Sequence, residues 1–223
     1  MSQAVATVRA MREQDVFVLA DRALLRVVTA IRDDQWDMPM PPDFATRADT
    51  GSLTLRKVIN YHAYDDAWVP DMLAGRTMDE AGTDRFDGDL LGADPVGRFT
   101  ALVESACAAA QALDDPQRTV HCSFGDFPAQ HYLWQVNMFR GLRANDIAAA
   151  IGADPTLPDA LVAGLWEELA PNAEEWRAMG IFGPAVPVPD DASAQDRLLG
   201  LTGRQPTGGD ALPRWRRGDA LPR

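Results

Sequence analysis

Apolar side chains recur along this chain at spacings of three and four, the period of helices that rest one face on a core. From about Gln14 to Ile31, Phe17, Ala20, Leu24, Val27 and Ile31 fall on one face, and Arg22, Arg26 and Arg32 on the other. The run Trp36 to Pro42 (WDMPMPP) breaks the pattern, because each proline disfavours helical backbone in the residue before it. It predicts an extended loop that leads into a further connection over 43–51. Ser52 is the candidate cap of a second helix, along which Leu55, Ile59, His62, Asp66 and Val69 repeat at helical spacing. Pro70 need not end that helix, and Leu73-Ala74-Gly75 reads as its stop.

A polar, glycine-rich loop follows over 76–93. Asp94 then Pro95 predicts a third helix by cap and first-turn proline, with Phe99, Leu102, Val103, Ala106, Ala110 and Leu113 inward. Thr119 to Phe124 is β-like, but no other strong strand signal exists to pair with it, so it reads as an extended connection. Asp126 is the expected cap of a long fourth helix, with Pro128 in its first turn and Gly152 at its end. Thr156 to Asp159 reads as a capping-box start for a fifth helix to about Leu169. Pro171 is expected to break it, and Asn172 to cap a short helix ending at Gly180. Phe182 to Val188 predicts an extended arm, and Ser193 to Gly200 a last short helix.

The predicted class is all-α. Four main amphipathic helices with long connections suggest an antiparallel four-helix bundle over 1–154. A helical and extended C-terminal extension over 155–205 packs on it. A flexible tail covers 206–223, where GDALPR occurs twice.

Charge narrows the partners. The net charge of −12 repels phosphate backbones, which argues against nucleic acid. No apolar run approaches the roughly 20 residues of a membrane span. Charges interrupt the N-terminal MSQAVATVRAMREQD before any signal-like segment forms, so the expected setting is the cytoplasm. Cys107 and Cys122 are too few for a disulfide scaffold or a cysteine-rich zinc knuckle, and read as small buried apolar residues.

Candidate chemistry lies on polar residues of inward faces. On the second helix these are His62 and Asp66, with Tyr61 and Asp65 beside them. On the fourth, His131, Gln135, Phe139 and Arg143 are spaced by four, Asp146 continues that side, and Asn145 borders it. Bundles build metal sites from a histidine on one helix and a carboxylate and histidine four apart on another. The spacing here offers only a phenyl ring and a guanidinium, and no HExxH is present. His62 is either a core histidine satisfied by Asp66 or a backbone group, or an acid/base residue. Arg143 either pairs with an acid such as Asp146, or, like Arg140, holds an anionic or carbonyl-bearing ligand. There is no nucleophile elbow, P-loop or GxGxxG.

The segments DQW-x-MPMPP, LTLRKVINYHAYDDAWVPDMLAG, DGDLLGADP, TVHCSFGDFPAQHYLWQ, DIAAAIGAD and FGPAVPVPDDASAQDRLLGLTGRQP occur in this order between about Asp15 and Pro206. With them the chain resembles actinobacterial proteins related to the metal-binding domain of mycothiol-dependent maleylpyruvate isomerase, within the DinB-like superfamily. The resemblance implies a DinB-like four-helix bundle with a C-terminal extension. It also implies a divalent metal held by a histidine at His62, an acid at the position of Phe139 and a histidine at that of Arg143. A family tryptophan stands where this chain has Asn145, and the acid Asp146 is kept.

Two of three implied ligands are thus replaced, one by a cation, and the expectation is no metal. The function expected is a metal-independent enzyme of isomerase, cyclase or addition type, in a biosynthetic pathway. Arg143 would take over the ion's electrophilic role, and His62, oriented by Asp66, would act as acid/base. Tyr61, Asp65, His131, Gln135, Phe139, Arg140, Asn145 and Asp146 would line the substrate site. Two alternatives stand beside it: a non-catalytic small-molecule binding or resistance protein, and a thiol-dependent metalloenzyme with the metal shifted to His62 with His131, Asp65 or Asp66. The expected partner is a small molecule, and a homodimer is left open.

Overall fold

A computed structural model describes residues 12–44, 52–123 and 125–206. Their elements are α1 (Glu13–Thr29), α2 (Leu55–Leu73), α3 (Met78–Ala81), α4 (Pro95–Ala112), β1 (Thr119–Cys122), β2 (Gly125–Pro128), α5 (Ala129–Ile151), α6 (Asp159–Ala178) and α7 (Ala194–Leu201). The protein is mostly helical, as its periodicity predicts. The tail expected from Pro206 lies, beyond that residue, outside the described residues.

The apolar stripes become the core. Phe17, Ala20, Leu24 and Val27 of α1 are buried, as are Leu55, Ile59 and Val69 of α2 and Phe99, Val103, Ala106 and Ala110 of α4. Asp94 accepts a hydrogen bond from the Gly97 amide at 3.0 Å and starts α4 as expected. α1 packs on α5, α4 and α6, whereas α2 leans on α4 and touches α5 only sparsely. That sparse contact leaves room between α2 and α5. No helix among the described residues is long and apolar enough to cross a membrane.

Five local expectations give way. The cap of α2 is Thr54, whose side chain accepts from the Lys57 amide, and not Ser52. Residues 53–55 are drawn out straight by bonds to the proline-rich loop: Met40 N–H to the Leu53 carbonyl at 3.0 Å and Leu55 N–H to the Met38 carbonyl at 3.0 Å. The β-like run Thr119–Cys122 does find a partner. It pairs antiparallel with Gly125–Pro128, the segment read as a helix start. Gly125, at φ 137°, adopts the backbone the tight turn requires. Asp126 therefore bonds His121 across the hairpin at 2.9 Å and does not cap α5.

α6 begins at Asp159 without a side-chain cap, because the cap position falls on Pro158, whose side chain has no acceptor; the Thr156 backbone is held instead by Arg26 through its carbonyl and by the Asp154 carboxyl through its amide. Pro171 does not break α6, which runs through it. The carbonyl that loses its partner is that of Glu167, an exposed residue where water can take over, while Leu165, Leu169 and Ala173 carry the buried face past the proline.

The C-terminal segment is tied back onto α5. Arg204 forks onto Asp146, with Nε to Oδ1 at 3.0 Å and Nη2 to Oδ2 at 3.1 Å. Asn145 donates to the Pro155 carbonyl at 2.9 Å. The arm after Phe182 lies against α7, where the Val186 amide donates to the Gly200 carbonyl at 2.9 Å. A side chain at Gly200 would meet the Val186 carbonyl oxygen at 2.6 Å, so the two backbones touch.

Candidate active site

The space between α2 and α5 is a cavity of about 330 Å³, lined also by Met78 of α3 and by Cys122 and Ser123 of the hairpin. That volume lies near the low end of ligand pockets, roughly 300–1,000 Å³. From α2, His62, Tyr64, Asp65, Trp68 and Met72 face it. From α5 come Tyr132, Gln135, Val136, Phe139 and Arg140, again at three- and four-residue steps.

Behind this wall sits a buried charge cluster. One guanidinium nitrogen of Arg140, Nη1, contacts Asp21 of α1 and Asp66 of α2, and all three side chains are withdrawn from solvent. Arg140 Nη2 donates to the His62 carbonyl at 3.4 Å. Asp66 Oδ2, Arg140 Nε and Trp68 Nε1 are buried with no hydrogen-bond partner among the described residues. Burial pushes the Asp21 and Asp66 carboxyls up, and Arg140 opposes that rise in both. Burial alone would lower the Arg140 pKa, but Asp21, Asp66 and Asp65 outweigh it and hold the guanidinium charged. Cys107 reaches Asp21 Oδ2 at 3.7 Å, and burial, with Asp21 adding, pushes its thiol up to about 12.

Two other groups that open on the cavity, His62 and Asp65, are free of such pairing. Burial, then the charges of Arg140 and Arg143, lower the His62 pKa well below its usual 6.5, so the ring is neutral. Neither of its ring nitrogens is hydrogen-bonded among the described residues. Asp65 is exposed in area yet ringed by protein. That burial lifts its carboxyl to about 6, with Arg140 pulling it down and Asp66 adding to the rise. Asp65 likewise makes no hydrogen bond or ion pair among the described residues. Burial, with Asp65 adding, raises the Tyr132 hydroxyl, which therefore stays protonated.

The sequence-derived candidates separate into two places. His62, Asp65, Gln135, Phe139 and Arg140 line the cavity. Arg143 does not: its Nη2 donates to the Asp43 carbonyl at 2.6 Å, its Nη1 lies 3.5 Å from Asp146, and its guanidinium stands 4.4 Å from the centre of the Phe44 ring. Asp66 is taken by Arg140 and does not orient His62. Asn145 and Asp146 anchor the C-terminal segment. His131 is exposed beside Phe127, and Tyr61 packs half-buried on the core. Asp21 was missed, although it falls four residues after Phe17 and three before Leu24, on the buried face itself. Tyr64, Trp68 and Tyr132 were missed as well, and only their shared helix sides with Asp65 and Gln135 signalled them.

The residues at the implied metal position do not fit a metal. Phe139 offers no donor atom, and Arg143 brings a positive charge that is already committed. Among the described residues no three His, Cys, Asp or Glu side chains gather as a ligand set. The shifted alternative is short of ligands too, since His131 stands on the surface and Asp66 is bound to Arg140. No family model, no curated protein and no solved structure matches the chain.

Proposed function

We propose that the chain is a DinB-like four-helix bundle, formed by α1, α2, α4 and α5, and that it catalyses metal-independent proton transfer on a small metabolite in the α2–α5 cavity. The order of the sequence segments and the burial of four amphipathic helices on one core support the architecture. One observation carries the chemistry: His62 and Asp65, both unpaired, open on the same cavity from adjacent turns of α2. The neutral imidazole is a base at neutral pH. A carboxyl near 6 takes and returns protons in the same range. Tyr132 and Gln135 supply neutral hydrogen bonds to hold an oxygen or nitrogen of the substrate. Arg140 fixes the carboxyls behind the wall and positions the α2 backbone through the His62 carbonyl. Isomerisation, cyclisation and addition all need this pair of steps, in which one group withdraws a proton and another delivers one.

The test is a metabolite mixture incubated in heavy water and followed by mass spectrometry. Wild-type protein converts, or loads deuterium into, at least one component. His62→Ala and Asp65→Asn each slow that change by about a hundredfold or more, and Arg143→Ala, which acts only through its charge on His62, alters it far less. Equal rates in all four proteins would sink the catalytic reading. Stoichiometric recovery of one unchanged component would make the protein a binder.

A further inference from the structure

The cavity wall is aromatic and sulfur-bearing on most sides, with a single unpaired charge. Tyr64, Trp68, Tyr132 and Phe139 supply four rings, and Met72 and Met78 supply two thioethers. The Trp68 ring is fixed by edge contacts, with Tyr64 at 6.2 Å and Phe86 at 5.0 Å between ring centres. Aromatic faces are negative and attract cations, and thioether sulfur is soft and polarisable.

Charge points the same way. Among the described residues Arg140 is the one cation in the lining, but it already faces two carboxyls, so the cluster behind the wall is neutral at most and carries no surplus positive charge. Asp65 is the acid left over. An anion entering here meets the Asp65 carboxyl and, among the described residues, no free guanidinium. A cation meets attraction from Asp65 and from any ring that turns its face to it. The net charge of −12 on the whole chain draws cations toward the surface as well.

We propose that the cavity takes a small molecule carrying a protonated amine on a flat apolar body, with Asp65 pairing the ammonium and Tyr64, Trp68, Tyr132 and Phe139 surrounding it. The inference rests on the catalytic reading only in sharing its cavity, and it gives that reading a substrate class. His62, neutral and unpaired on the same wall, accepts a hydrogen bond from the ammonium.

Two probes of similar shape and opposite charge test this by calorimetry: phenylethylammonium and 3-phenylpropionate. The ammonium binds one to one, at least about tenfold more tightly than the carboxylate. Asp65→Asn, at a solvent-reachable position, keeps the helical circular dichroism and loses about tenfold in ammonium affinity while leaving the carboxylate unchanged or improved. Phe139→Leu, also at an exposed position, weakens the ammonium several-fold through its lost ring. Failure of the ammonium to bind, equal or tighter binding of the carboxylate, or an unaffected Asp65→Asn would overturn the proposal. Binding is read without turnover. An Asp65-dependent amine site with no effect of His62→Ala on conversion would defeat the catalytic reading alone. A carboxylate preference with His62-dependent conversion would defeat this one alone.

Discussion

Asp21 and Asp66 share one guanidinium in the dry interior, and one positive charge can neutralise only one of them. The folded state therefore keeps a proton that the unfolded chain releases. Burial raises the Asp21 carboxyl from 3.8 to about 8, against the pull of Arg140 and with the push of Asp66. A group raised in this way stabilises the fold fully below its unfolded pKa, and that contribution is lost as pH rises through the folded value. Denaturation midpoints should thus fall between about pH 4 and about pH 8, by an amount on the order of a few kcal/mol. Asp21→Asn flattens the fall. Equal slopes for the two proteins would show that no proton is held between the carboxyls. At this scale the sequence was legible wherever a polar residue interrupted an apolar stripe, as His62 and Asp66 do. It misled at Arg143 for a geometric reason. Steps of four residues overshoot a 3.6-residue turn by about 40°, so three steps from His131 to Arg143 swing about 120° around the helix. Side chains that look stacked in the sequence face different neighbours. Arg140, one step of four before Ala144 and outside that series, is the arginine behind the wall.

Elements were easiest to read where a cap and a stripe agreed, as in Asp94-Pro95 at the start of α4 and Ser193 at the start of α7. They were hardest where the deciding contact comes from elsewhere in the chain. Nothing inside Thr119–Cys122 says that Gly125–Pro128 will turn back onto it, and nothing near Pro171 says that the Glu167 carbonyl it leaves unpaired belongs to an exposed residue. The join between the C-terminal arm and α7 is of this second kind, and it depends on a missing side chain. Gly200→Ala places a carbon 2.6 Å from a backbone oxygen that cannot swing aside. The expected loss is about 1–3 kcal/mol by chemical denaturation. Limited proteolysis should also become faster within 182–188. An alanine variant as stable and as resistant as wild type would mean that the arm does not lie against the helix.

At the scale of the whole molecule, periodicity was enough for the all-α class, because burying one face of each helix is what a chain of this hydrophobic content requires. The shape of the space between the helices was not legible. It follows from which pairs of helices lean together, and that is settled by side-chain volumes summed over the core. α2 leans on α4 and α5 on α1, so the two walls of the cavity are joined mainly through α4 and α1, which pack on each other. Folding and occupancy are therefore linked quantities. A molecule that fits between α2 and α5 gives them a direct contact that the chain supplies only sparsely. By mass action, a ligand at a hundred times its dissociation constant should add about 2.7 kcal/mol to stability. Amide exchange should slow first along α2, the wall with fewest partners of its own, and a bound molecule that left those amides as fast as before would have to sit elsewhere.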